Sequence, residues 1–253
     1  PLSDAPGKQM IPTFSPDGRM CAYVKDNNIW IRKFDYDTEI QITKDGKQNA
    51  ILNGITDWVY EEEFSVTNLM AWSPDSKVLA FVRSDESEVP EYSMQVYGDG
   101  LYPGYYNFKY PKAGEKNSTV SVMAYNIESK DTKKLDIPMD ADGYIPRINF
   151  TTKPEQLAVM TLNRQQNRFN MFYTNPKSGV SKLILKEENK CYVDSEWLTS
   201  IHFMESGFTY VSEQDGYSHI YLYSPTGVMQ RQITKGNWDV TALLGYDELT
   251  KTT

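Results

Sequence analysis

Two cysteines and two histidines are all that 253 residues supply, and each scarcity excludes something. Cys21 and Cys191 lie far apart without CxxC spacing, so neither a disulfide framework nor a zinc site is expected, and both read as small buried hydrophobes. His202 and His219 fall in expected strands of one region and read as structural. There is no HExxH, GxSxG nucleophile elbow, P-loop or GxGxxG. Asp215, Ser218 and His219 include the residue types of a triad, but they crowd one hairpin and read as turn residues. No catalytic group, metal ligand or cofactor is therefore expected in this chain. Basic charge is also short, with 26 Lys and Arg against 34 Asp and Glu for a net charge of −8. That balance argues against nucleic acid as a partner, because phosphate binding needs a basic face, and it suits a cationic ligand better. No apolar run reaches the roughly 18 residues that cross a bilayer as a helix, and PLSDAPGKQM lacks the basic cluster and apolar segment of a signal peptide.

What is present is a strand grammar. From Phe14 the chain reads FSPDGRMCAYVKDNNIWIRKFDYDTEIQITKDG: a Ser-Pro-Asp-Gly turn, the strands MCAYV and NIWIRKF, a polar turn, and the closing strand EIQIT. Proline presets φ at the second turn position and glycine accepts positive φ. Trp72 opens WSPDSKVLAFV in phase with FSPDGRMCAYV, and Gln232 opens QITKG in phase with QITKD at Gln41. Ile42 lies 28 positions after Phe14 and Ile233 lies 30 positions after Phe203, so a whole unit repeats. Short strands, hairpin turns at 175–179 and 224–227, and almost no helical periodicity predict an all-β chain. The expected fold is a β-propeller of four-stranded antiparallel blades, about four plus a partial one; a β-sandwich is the runner-up.

The blades are expected at 12–48, 66–137, 146–187 and 200–236, with a stub at 237–253. Uneven spacing places an insert at 49–65 and an extended arm at 84–119. Loops of that length are usually functional or disordered, and the arm's many tyrosines suit an interface. Both ends read as cut from a larger propeller.

The insert holds the most unusual stretch, TDWVYEEEF (Thr56 to Phe64), with three consecutive carboxylates. In a strand, alternation would pair Glu61 with Glu63 and aim Glu62 away. In a helical turn, steps of about 100° let two neighbours converge on one small cation. Asp57 sits where an N-cap would, which favours a short helix, and glutamates after it suit the positive end of the helix dipole. One reading of the run is a solvated acidic helix start. The other is an ammonium clamp, in which each charge-assisted hydrogen bond contributes roughly 1.5–3 kcal/mol. Two such bonds would favour a free amino terminus over a blocked one by a factor on the order of a hundred to ten thousand.

The run NGITDWVYEEEF (Asn53 to Phe64), then AWSPDSKVLAFV, EVPEYS (Glu88 to Ser93), YPKAGEKN (Tyr110 to Asn117), SEQDGYSHIYLY and ITKGNWDV resembles, in one order along the chain, the propeller domain of the dipeptidyl peptidase IV branch of the prolyl oligopeptidase family. The resemblance implies an α/β-hydrolase domain in the same protein carrying the Ser, Asp and His of a triad, and release of Xaa-Pro or Xaa-Ala dipeptides from peptides with a free N-terminus. It places the ammonium-binding role on Glu62 and Glu63, with Glu61 facing away, and it implies a homodimer formed through the 84–119 arm and an extracytoplasmic location. The family's substrate-holding arginine would lie upstream of this chain. Its aromatic wall has no clear counterpart between Asn189 and His202, where Trp197 is the nearest candidate. The alternative is a TolB-like propeller that binds protein or peptide without enzymatic activity.

Overall fold

The structure is a computed structural model that describes residues 3, 6–248 and 250. Residues 249 and 251–253 of the expected stub lie outside the described residues. The architecture is all-β. Strands β1 (Met10–Phe14), β2 (Met20–Lys25), β3 (Asn28–Lys33) and β4 (Thr38–Gln41) form one antiparallel sheet, each beside its sequence neighbour. The same meander recurs in β12 (Tyr144–Phe150) to β15 (Ser181–Glu188), through β13 (Leu157–Leu162) and β14 (Arg168–Thr174). It recurs again in β16 (His202–Met204), β17 (Gly207–Ser212), β18 (His219–Tyr223) and β19 (Met229–Gln232). These are propeller blades, as the strand grammar predicts.

The second sheet departs from that order. It runs β11-β10-β7-β5, from β5 (Ile51–Asn53), β7 (Val78–Asp85), β10 (Thr119–Asn126) and β11 (Thr132–Lys134), and a further strand, β6 (Met70–Trp72), also pairs with β7. Both β5 and β6 lie against β7 because the chain leaves the sheet between them. The antiparallel bridge between Ile55 and Asn68 closes the excursion. Ile51–Asn53, assigned above to the insert, therefore belongs to the sheet, since these residues pair with Arg83 to Asp85. Gly54 marks the exit, at φ +74 with its amide on the Val82 carbonyl, and a Cβ there would come within 2.7 Å of Met70. A second excursion, between β7 and β10, forms the hairpin of β8 (Glu91–Val96) and β9 (Gly104–Lys109), in register from Glu91 opposite Lys109 to Val96 opposite Gly104.

The residue-level repeats carry the same bonds in each copy. Ser15 and Ser73 each donate a side-chain hydrogen bond to the aspartate two residues on, at 2.6 Å, and accept the amide of the residue five positions on. Gly18 takes φ +70 in the first turn, and Ser76 takes φ +60 at the matching place in the second. The QITK repeat is equally literal. The Thr43 hydroxyl accepts the Ile29 amide at 2.8 Å, and the Thr234 hydroxyl accepts the Ile220 amide at 3.0 Å. In both copies a side chain supplies the acceptor that continues the ladder past the end of the last strand.

The chain forms two compact units, Pro1–Met70 with Phe81–Met123 and Ala71–Ala80 with Ala124–Thr253. The first has its core in Tyr23, Val24, Ile29, Ile31, Leu69 and Phe81, all essentially inaccessible. The second is built on β13, β14, β17 and β18, with Phe169 stacked on Tyr210 at 5.6 Å and Phe208 on Tyr223 at 5.2 Å. Cys21 is buried, as expected of a small hydrophobe, but Cys191 is exposed. It falls in the bend after β15, where the chain crosses the surface and the Asn189 side chain accepts its amide.

Candidate functional site

The acidic run folds as the helix α1 (Trp58–Glu63), a single six-residue element. Asp57 is its N-cap, in extended conformation at φ −80 and ψ 179, and Oδ1 accepts the Tyr60 amide at 3.1 Å. Its other oxygen accepts the Ser118 hydroxyl at 2.5 Å. Asp57 and Ser118 are both buried. Burial pushes the Asp57 carboxyl above its ordinary value, although the Ser118 hydroxyl and the Tyr60 and Val59 amides oppose the shift.

Packing seats the helix. Tyr60 is 1% exposed and meets Phe64 edge-on at 5.3 Å, while Val59 and Phe64 are also buried. Trp58 stands edge-on to Tyr110 at 4.4 Å, which joins the start of α1 to the chain leaving β9. The glutamates divide on this frame. Glu61 lies in the first turn and, with Asp57 and Trp58, lines a cleft of about 930 Å³. Glu62 and Glu63 lie at the other end, exposed and without a hydrogen bond or ion pair among the described residues.

That position corrects part of the sequence reading. The helix dipole was expected to favour the whole run, but in so short a helix only Asp57 and Glu61 sit near its positive end. Glu62 and Glu63 fall in the last turn, where the partial charge is negative and disfavours carboxylates. Their placement is explained neither by the dipole nor by a basic neighbour.

Elsewhere the candidate residues have structural occupations. The two ring nitrogens of His219 face the Thr234 hydroxyl at 3.1 Å and the Gly236 carbonyl at 2.9 Å. A carbonyl only accepts, so Nε2 carries the proton and Nδ1 accepts from Thr234. Ser218 donates to Glu213, and Asp215 accepts from Gln232. These three residues are engaged in turn and strand bonds, and no hydrogen bond joins any two of them. His202 is exposed. Trp197 packs against the buried cluster of Val211, Ile220 and Val240.

Sequence reasoning missed Glu86, just beyond β7. It is 5% exposed, it lines the cleft beside Asp57, and its carboxyl is pushed up to about 7 by burial and by the Asp57 charge, with Lys109 acting in the opposite direction. Ser84 to Glu88 opens the stretch assigned above to the extended arm, and nothing local in this polar run marks one carboxylate for burial. Only its position shortly after the apolar run Val78 to Val82 hinted otherwise.

Fold and site together define a propeller domain that presents a pair of unpaired carboxylates on an insertion pinned to one blade. The chain belongs to the dipeptidyl peptidase IV N-terminal region family, which it matches over residues 1–253. It is 64% identical to a crystal structure of Porphyromonas gingivalis dipeptidyl peptidase 4, with a TM-score of 0.96, over 98% of this chain and 35% of that one. Dipeptidyl-aminopeptidase B of Aspergillus niger is 31% identical over 94% of this chain and 29% of its own length. Mouse prolyl endopeptidase FAP is 31% identical over 89% of this chain and 32% of its own. The chain thus spans about a third of the length of these relatives.

Proposed function

We propose that this chain is the propeller part of a dipeptidyl aminopeptidase and that Glu62 and Glu63 grip the free amino terminus of its peptide substrate. The observation that carries the reading is the pair itself: adjacent carboxylates at the wrong end of a helix dipole, without a partner, on a helix whose other side is buried. An α-ammonium offers three donors, and two charge-assisted bonds contribute about 3–6 kcal/mol once water is excluded. A hydrolase domain in the rest of the protein supplies the nucleophile, and the clamp sets the register so that the bond two residues in meets it. This is catalysis by positioning. A blocked amino terminus leaves desolvated carboxylates without donors, which costs more than a missing contact. Similarity to peptidases that release dipeptides supports this reading over a purely binding scaffold.

The same reading assigns the β8–β9 hairpin to a homodimer interface. Its strands are exposed along nearly their whole length, and Tyr97, Leu101 and Tyr102 at its tip are among the most exposed apolar residues described. Such a surface suits a protein partner.

The test is Glu62→Ala and Glu63→Ala in the full-length protein. Each is expected to lower kcat/KM on an Xaa-Pro substrate by about a hundredfold or more, with unchanged folding by circular dichroism. Near-normal turnover by both variants would remove the clamp.

A further inference from the structure

We propose that the cleft beneath the β8–β9 hairpin is a second binding site, which takes the side-chain cation of a basic residue in a peptide, with Glu86 as its counter-ion. The choice of a peptide as ligand rests on the function proposed above; the site itself rests on its own geometry.

The cleft of about 930 Å³ has an aromatic and apolar wall. Trp58 of α1 contributes to it, as do Met94, Tyr106 and Phe108 of the hairpin, with Leu52 of β5 behind them. Glu86 lies among them, 5% exposed. Its main chain is fully used, the amide donating to the Ala50 carbonyl at 2.8 Å and the carbonyl accepting the Val89 amide at 3.0 Å. Its carboxyl has no hydrogen bond or ion pair among the described residues. Lys109, the cation whose charge acts on it, turns its ammonium to the Val89 carbonyl at 2.7 Å and the Ser87 carbonyl at 3.4 Å. A carboxyl on a buried residue and without a hydrogen bond is relieved by a proton or by an incoming cation.

The ligand class follows from the lining. A neutral ligand leaves Glu86 as it is. Among the described residues no group of three His, Cys, Asp or Glu side chains is placed to hold a metal ion. A lysine or arginine side chain meets both needs, with its alkyl stem against Met94 and Phe108 and its charged head offered aromatic faces and a carboxylate. The site is separate from the clamp. Asp57, Trp58 and Glu61 share the face of α1 that lines the cleft, whereas Glu62 and Glu63 do not line it.

Binding is coupled to a proton. Glu86 faces Asp57 and Asp85, which hold its proton on, and Lys109, which pulls it off. Lys8, Lys47, Asp26 and Glu61 are exposed, so solvent screens them. A cation displaces the proton, so affinity rises as pH increases through about 7.

The probe is Nα-acetyl-arginine methylamide, whose blocked amine cannot enter the clamp, titrated calorimetrically into the full-length protein. The proposal expects it to bind about tenfold or more tighter than the acetyl-norleucine analogue, and tighter at pH 8 than at pH 6. Glu86→Gln should remove that preference, and Phe108→Ala should weaken binding severalfold, a second test should Glu86→Gln fold poorly. Glu62→Gln should leave it unchanged. Equal binding of the two probes, no binding of the arginine probe, or full retention in Glu86→Gln would overturn the site. Loss in Glu62→Gln alone would reassign the probe to the clamp. Because the clamp itself is judged on Xaa-Pro turnover, either reading can fail without the other.

Discussion

Two excursions leave the second sheet, and they are held in opposite ways. The first, which carries α1, is only six helical residues long, yet it is fixed by a buried cap, a buried tyrosine and an edge-on tryptophan. The second, the β8–β9 hairpin, is longer and fully paired within itself, but its side chains are mostly open to solvent. A short helix has little stability of its own, so its position comes almost entirely from what it packs against. A two-stranded hairpin is likewise marginal in water and gains from a further surface. The contrast separates an element whose position is fixed by the residues it packs against from one held chiefly by its own strand pairing.

The cap is the sharpest place to break that contrast. Asp57→Ala removes the acceptor for the Tyr60 amide and strands the buried Ser118 hydroxyl. It is expected to lower unfolding stability by about 1–2 kcal/mol and to raise KM for an Xaa-Pro substrate, while Asp57→Asn recovers much of both. Denaturant melts and steady-state kinetics on the three proteins decide it. A cost under roughly 0.5 kcal/mol for the alanine variant would mean that packing alone seats the helix.

A smaller, pH-dependent effect lies at Glu86. The unfolded chain releases this proton near the ordinary value of 4.5, whereas the folded protein keeps it to about 7. Its contribution to stability is therefore intact below pH 4.5 and is lost as pH rises through 7. Glu86→Gln should melt with the wild type at pH 4.5 and above it at pH 8. Parallel melting temperatures across that range would show that Glu86 ionises as it does in the unfolded chain.

The smallest effect on folding belongs to the hairpin. In the full-length protein at low concentration, Tyr102→Ser with Tyr105→Ser should change unfolding stability by no more than about 0.5 kcal/mol. At higher concentration the same pair should weaken self-association in sedimentation velocity. Unchanged association would leave the hairpin without the partner assigned to it.

Much of this arrangement was legible in the residues. The Ser-Pro-Asp turns, the QITK repeat and the aspartate before WVYEEE are local signals, and local hydrogen bonds enforce them. What the sequence did not carry was long-range. Glu86 stands in a run of polar residues, and its burial comes from residues distant in sequence, among them Leu52, Asp57 and Phe108, which line the same cleft. Cys191 has the composition of a core residue but falls in a surface bend. The division of the three glutamates between a cleft and an open helix end depends on where α1 stops, and a six-residue helix leaves no margin for estimating that.

The Asp57 to Ser118 bond has one further consequence. Ser118 is the last residue before β10, where the hairpin excursion rejoins its sheet, and Asp57 is the first residue of the turn that starts α1. A load taken up at the hairpin's tip comes ashore one residue from that bond, so the two excursions share a mooring. Whatever grasps the outer one tugs on the footing of the inner.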